Sequence, residues 1–540
     1  MKKHFLTLTM AALATLVLHA QNVETQKIQK EVNDRLSDLP FATFQITVPT
    51  FGSKVVNIKD KGAVGNGISD ASAAIDAAIK EVSESGGGTV LIPSGLWVCG
   101  PITMMSNVNL HFAEGAFLEF TGNKSKYSLV KGGSGFRTNA LINGKKLKNI
   151  AITGKGIING NGGTWRFVKK EKLTEKQWKN MTKSGEISTD GKRWSPNVGY
   201  FAAEEKQKSL KGAPEEEWDK VKMSLRPYLL NVGDVENMLV EGVTFMNSPH
   251  ITVKLDRING LVMKDVKVYN EWWYQNSDGL DISASKNVLM YDCTVNTGDD
   301  GICMKSSRGN GSTPFLLQNI VIRDCKVMHA HGGFVIGSNT DGGMKNIYVK
   351  NCSFSLTETG LRFKSGTGRG GRVQDVYCED IFMKDMENEA IIFELTYEDK
   401  GAVVKATESQ ALTPDFDGIS IKNVFCDGAK TAITLGGTPT LNVKNITFQN
   451  IVIKARSGVD AFRSEGITFD NVNIIPEVGP AFKLNKATNI TFKNMPAPAK
   501  AGTYAKIFSP ETKNITFEKG KLQSSQVEIL NGAEASQVKF

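Results

Sequence analysis

The chain has 540 residues, of which 40% are hydrophobic and 22% charged, a balance that excludes a disordered or collagen-like polymer and allows a large core. Its formal charge of +9 favours an anionic partner, whether nucleic acid, membrane surface or acidic polysaccharide. The seven cysteines are an odd number with no CxxC pair, which argues against a zinc ribbon or a full disulfide framework and for buried core thiols.

The first twenty residues, MKKHFLTLTMAALATLVLHA, run from two lysines through an apolar stretch to a small residue at Ala20. That order predicts a secretory signal peptide over 1–20, too short for a bilayer span, and a mature chain 21–540 that is periplasmic or extracellular. Loss of Lys2 and Lys3 lowers the formal charge from +9 to +7. Export makes the acidic polysaccharide the favoured partner; no later segment reads as a membrane span, and no basic stripe interleaved with aromatics suggests nucleic acid.

Within an N-terminal cap region over about 45–120, SDASAAIDAAIKEVSESGGG predicts one amphipathic helix. Ser69 or Asp70 would be its N-cap, Ile75, Ile79 and Val82 its apolar face, and the glycines its stop. Its expected job is to close the end of a stack of strands. A Lys- and Glu-rich insertion over about 165–226 reads as helices and loop outside the stack, either the rim of a groove or a solvated decoration.

From there to the C-terminus one unit recurs: Asn, apolar, any, apolar, any, Asp or Asn, apolar. It reads NVLMYDC at Asn287, NIVIRDC at Asn319, NIYVKNC at Asn346, GISIKNV at Gly418 and NITFQNI at Asn445, mostly 21 to 32 residues apart. Short alternating segments rich in Val, Ile, Phe and Thr and bounded by Gly, Asn or Asp are strands, and so short a unit must stack to bury its apolar face. The predicted fold is all-β, a single right-handed parallel β-helix domain, with Cys293, Cys325 and Cys352 in an interior ladder. A β-propeller would show longer, more uniform repeats.

The period gives meaning to the adjacent Asp299 and Asp300. Asp278 precedes Asp299 by 21 residues, one coil; His331 follows Asp300 by 31, and Arg362 follows His331 by 31, with Lys364 on the same strand face. Crowded carboxylates drive their proton affinities apart, so one can act as general acid while another stays a base, the division of labour that glycoside hydrolysis needs. Arg362 and Lys364 are either a grip for a substrate carboxylate or counter-ions of the aspartates.

These residues lie in the motifs NSDGLD, GDD, AHGG and RFK, and together with GKGIINGNGGTW upstream they resemble the polygalacturonase family of glycoside hydrolases, family 28. The resemblance spans nearly the whole mature chain. It implies an inverting hydrolase of α-1,4-linked galacturonic acid in pectin, with Asp299 as general acid, Asp278 and Asp300 activating water, and His331 supporting the acid. Arg362 and Lys364 would bind the galacturonate carboxylate, with Asn276 and Tyr397 as further substrate-binding candidates. Asn276, Asp281 and Gly298 also suit a purely structural role at the strand and turn, as Tyr397, Trp272 and Trp273 suit either sugar stacking or packing. Ser277 keeps the hydroxyl of the family's Thr, whereas Ala330 replaces its first glycine.

The stretches HGGFVIGS and RFKSGTGRGG and the insertion are similar to bacterial exo-acting members. Rival readings are a hydrolase of rhamnogalacturonan-type galacturonosyl ends, a calcium-dependent pectate lyase and a noncatalytic polysaccharide-binding solenoid. No cofactor or metal is expected, and the protein is expected to be a monomer.

Overall fold

The computed structural model describes residues 23–133, 135–307, 315–397, 413–498, 502–518 and 522–540. The signal-peptide reading of 1–20 falls outside them. The described chain forms two compact units: 23–38, 43–281 and 287–299 in the first, and 39–42, 282–286 and the residues from 300 onward in the second. Both are built of parallel coils, and the fold class is a right-handed parallel β-helix.

In the first unit the in-register series Val56, Val90, Leu110, Ile152, Val240 and Met263 runs through six coils, every member buried. A second buried series joins Trp97, Leu118, Ile158, Phe245, Val268 and Val295. Alternate residues turn inward, so each coil adds one layer about 4.8 Å thick to an apolar column. The second unit repeats this with Met304, Ile336, Phe363, Phe393, Leu435, Ala461, Leu484 and Ile507. Within it the Phe363 and Phe393 rings stack at 4.2 Å.

The repeated Asn, Asp and Gly residues turn the corners. Asn287, Asn319, Asn346, Asp375, Asn445, Asn489 and Asn514 all have φ between 52° and 59°, and Gly418 and Gly466 take the same left-handed conformation at the equivalent step. Only Gly, Asn and Asp visit this region readily, which explains why these three types exchange there. The Asn side chains also form ladders: Asn346 donates to Asn319 at 3.1 Å, and Asn514 to Asn489 at 3.0 Å. The sixth position of the repeat does the same, with Asn351 donating to Asp324 and Asn450 to Asn423. All seven cysteines are buried and free, as a thiol ladder requires.

The cap helix spans Ser72–Glu84 and buries Ile75, Ile79 and Val82. Its N-cap is Ala71, not Ser69 or Asp70; Asp70 instead accepts from the amide and hydroxyl of Ser72 at 2.9 and 2.5 Å. A second helix, over 23–35, has no counterpart in the sequence reading. Ile28 and Val32 on it and Leu36 just beyond are buried, and Glu31 accepts from the Tyr291 hydroxyl at 2.9 Å.

The insertion holds the short helices Glu175–Met181, Tyr200–Gln207 and Glu215–Asp219, but it also contains a three-stranded antiparallel sheet built on Arg193–Ser195. It has its own small core: Trp218, Val221, Leu225, Ala203 and Leu210 pack with Leu129. No helix among the described residues is long and apolar enough to cross a membrane.

If the left-handed corners carry the register, Asn346→Ala loses both a tolerated φ and a ladder bond and should cost about 2 kcal/mol. Asn346→Gly loses only the bond and should cost about 1 kcal/mol. Chemical denaturation of the two variants checks that order.

Candidate active site

In the first unit the segment Tyr274–Asp278 is tied down by buried polar contacts. The Ser277 hydroxyl donates to the Tyr274 carbonyl and accepts from the Gly298 amide, each at 3.1 Å, which is the work the motif's hydroxyl does. Asn270, buried, donates to Thr252 and Thr297 at 2.8 and 3.0 Å. A Cβ at Gly298 would lie 2.2 Å from the Tyr274 carbonyl oxygen, so only glycine fits immediately before Asp299. Beneath this segment the buried Arg166 guanidinium stacks on the Tyr274 ring at 3.5 Å, and burial pushes its pKa down to about 9.

This scaffold brings Asp278 and Asp299 together, with carboxylate oxygens within 4.8 Å. Asp278 is buried and Asp299 half-buried. Asn276, at φ 53°, donates its amide to Asp299 Oδ2 at 3.0 Å and accepts from Arg226 Nη2 at 2.9 Å. Asn276 thus shapes the turn and orients a carboxylate, while Trp272 stands exposed beside it.

Arg226 also donates to the Gln275 carbonyl at 2.9 Å. It and His250 escaped the sequence reading because each reaches the site from outside the motifs. His250 Nδ1 accepts from the Ile251 amide at 2.8 Å, and burial, together with the charge of Arg226, holds its pKa well below the imidazole norm despite an opposing pull from Asp299.

In the second unit Asp300, 3% exposed, starts the strand Asp300–Lys305. Its carboxylate accepts from Lys364 Nζ at 2.8 and 3.2 Å and faces Arg362 Nη1 at 3.7 Å. Burial is the largest influence and works against the Lys364 charge, but Asp300, with smaller help from Cys303 and Tyr397, leaves the pKa raised. Arg362 Nη1 donates to the His331 carbonyl at 3.4 Å, while its buried Nε has no hydrogen-bond partner.

The register corrects the 31-residue spacing. Asp300 pairs with Gly332 and then Thr359, while Arg362 pairs with Val335 and Cys303. His331 therefore stands one residue before the rung of Asp300, and the basic pair lies farther along its strand. No side chain occupies Gly332 on the intervening coil, and a Cβ at Gly337 would strike the Lys364 carbonyl at 1.8 Å.

His331 Nε2 lies 3.4 Å from Glu358, a partner that no motif announced. Tyr397 is gathered with the basic residues: Lys364, Arg362 and Arg369 stand 4.9, 5.6 and 5.7 Å from its ring centroid. A metal at Asp300 would have to displace an ammonium that already holds both carboxylate oxygens.

Coils that bury carboxylates beside fixed cations define a class, the β-helical glycoside hydrolase. The family model described as "Glycosyl hydrolases family 28" matches residues 169–462, more than half of the sequence, and the chain belongs to that family. A second model, "Rhamnogalacturonase A/epimerase, pectate lyase-like", matches residues 55–194. An exo-poly-alpha-D-galacturonosidase of Dickeya chrysanthemi is 25% identical over 452 residues, covering 79% of this chain and 72% of the relative. An endo-polygalacturonase of Pectobacterium carotovorum subsp. carotovorum is 25% identical over 372 residues, 67% of this chain and 79% of its own. The crystal structure of an exopolygalacturonase from Thermotoga maritima aligns at a TM-score of 0.65 with 25% identity, covering 84% of this chain and 96% of that one.

Two predictions follow the burial of these groups. Lys364→Met strands the Asp300 charge and should lower stability by about 3 kcal/mol, whereas Arg362→Met, the more exposed and more distant cation, should cost about 1 kcal/mol. Denaturant unfolding of both variants is the check. For His250, the unfolded imidazole takes up a proton below about pH 6.5 and the folded one does not, so the unfolded state binds more protons there. Stability is full above that pH and should fall below it by up to about 1.4 kcal/mol per pH unit. His250→Asn should remove that slope from a series of unfolding curves at acid pH.

Proposed function

We propose that the protein hydrolyses the α-1,4 linkages of galacturonate chains in pectin, acting from chain ends, with inversion at the anomeric carbon and after export from the cytoplasm. Asp299, as the carboxylic acid, gives its proton to the departing glycosidic oxygen. Asp278 and Asp300 hold the water on the opposite face and take its proton as its oxygen bonds to the anomeric carbon. His331 supports the acid, and Arg362 offers its fork to the galacturonate carboxylate while Lys364 neutralises Asp300 and completes that cationic face.

The observation that carries this reading is the buried Asp300 held by Lys364, with the partly exposed Arg362 guanidinium 3.7 Å away. A carboxylate-bearing sugar complements a guanidinium, and an uncharged sugar does not. The names of the relatives from Dickeya and Thermotoga support galacturonan and the exo mode. The rhamnogalacturonase-like match over 55–194 favours, as a second reading, galacturonosyl ends of rhamnogalacturonan.

The test is reducing-sugar release from polygalacturonate with product ultraviolet absorbance followed alongside. Release without new absorbance, reduced about a thousandfold in Asp299→Asn, is expected of a general acid. Absorbance rising with cleavage would mean elimination by a lyase. Inactivity on this polymer with activity on rhamnogalacturonan oligomers would select the second reading.

A further inference from the structure

Resting on the galacturonan reading, we infer that a cleft in the first unit is a further subsite that binds the carboxylate of one galacturonate unit through Arg137, which lines it, with the charge of Lys254 set against the Tyr228 ring just outside the lining. The cleft, of about 360 Å³, lies where the hairpin of Leu129–Gly132 and Gly135–Thr138 meets the insertion. Trp218 of the insertion seats on Gly135, where a Cβ would lie 2.0 Å from its ring, so the wall is built by close packing.

Its floor belongs to the coils that precede Asp278. The Leu141 amide donates to the Tyr228 carbonyl, Leu229 to Ile251, and Thr252 to Asp278, which steps the backbone ladder from the hairpin to the catalytic candidates. Arg226, which lines the cleft, binds Asn276, and Asn276 binds Asp299. A sugar chain reaching Asp299 therefore has this cleft beside it.

The chemistry of the cleft selects an anion. The Tyr228 ring has Arg137 at 5.5 Å, Lys254 at 5.8 Å and His250 edge-on at 5.1 Å. An aromatic face gathers cations without neutralising them. Among the described residues neither Arg137 nor Lys254 forms an ion pair with a carboxylate, and the acid lining the cleft, Glu204, is held by Arg193 at 2.7 Å. The unpaired Arg137 guanidinium, with the Lys254 charge against the same Tyr228 ring, fits the carboxylate of a uronate.

Kinetics on trigalacturonate test this. Arg137→Ala should raise KM about tenfold, the loss of one charge-assisted hydrogen bond, and Lys254→Met about threefold, the loss of a nearby charge, with kcat changed much less. Arg137→Lys should recover part of the loss. Lys176→Ala, on the same insertion but outside the cleft, serves as the control for a general charge effect, and melting curves confirm that each variant is folded. With a trimer methyl-esterified at one terminal unit, tried at each end in turn, the ester that occupies the cleft should raise the wild-type KM and leave the variants nothing further to lose. Cleavage with KM unmoved in Arg137→Ala and Lys254→Met, or a loss equal on both esters and the free acid, would overturn the subsite and leave the hydrolase reading standing. A wild type that cleaves no galacturonate oligomer would overturn both.

Discussion

The fold rests on the left-handed corner. A parallel coil can stack on the next only if the chain turns at the same step each time, and the Asn, Asp and Gly residues near φ 55° to 80° set that step. Several corner Asn residues then spend their amide on the corner one coil away, as Asn346 does on Asn319 and Asn514 on Asn489. Local conformation and long-range register are thereby written in the same side chains. The inward columns of Val, Ile and Phe supply most of the burial, but a one-residue slip would turn them outward, and the corner ladders oppose such a slip.

Register also explains why much of the molecule could be read from its sequence. The repeat, the interior thiols and the cap helix follow from regular periods, and the coil period also singled out Asp278, Asp299 and Asp300, whereas Arg362 and Lys364 lie farther along their strand than that period places them. What escaped breaks that period. The strands of the insertion sheet are two or three residues long, too short for alternation to show. The helix over 23–35 carries Ile28 and Val32 four residues apart, with Leu36 a further four on, but in a stretch preceding any repeat. Coils of unequal length shifted His331 off the rung of Asp300. Arg226, His250 and Glu358 belong to no motif; a sequence records no partner for a residue whose role comes from a neighbour brought in by folding.

The electrostatics divide the candidate residues by task. Asp299 is oriented by a backbone amide and half-buried, whereas Asp300 is buried and matched to an ammonium. A carboxylate bound to a fixed cation is favoured in its charged form, which suits the base proposed for Asp300. Glycines 298, 332 and 337 serve this arrangement by leaving backbone or space where a side chain would intrude. The insertion contributes Arg226 to the Asn276 turn, so a segment outside the repeat helps to set the orientation of Asp299.

The most direct measurement is the configuration of the first product, followed by proton NMR during the opening turnovers on trigalacturonate, before mutarotation mixes the anomers. Hydrolysis with Asp299 as acid and a water held by Asp278 and Asp300 should release β-galacturonate from the α-linked substrate. Initial appearance of the α-anomer would mean that one of these carboxylates attacks the sugar as a nucleophile, and would contradict the roles assigned to all three.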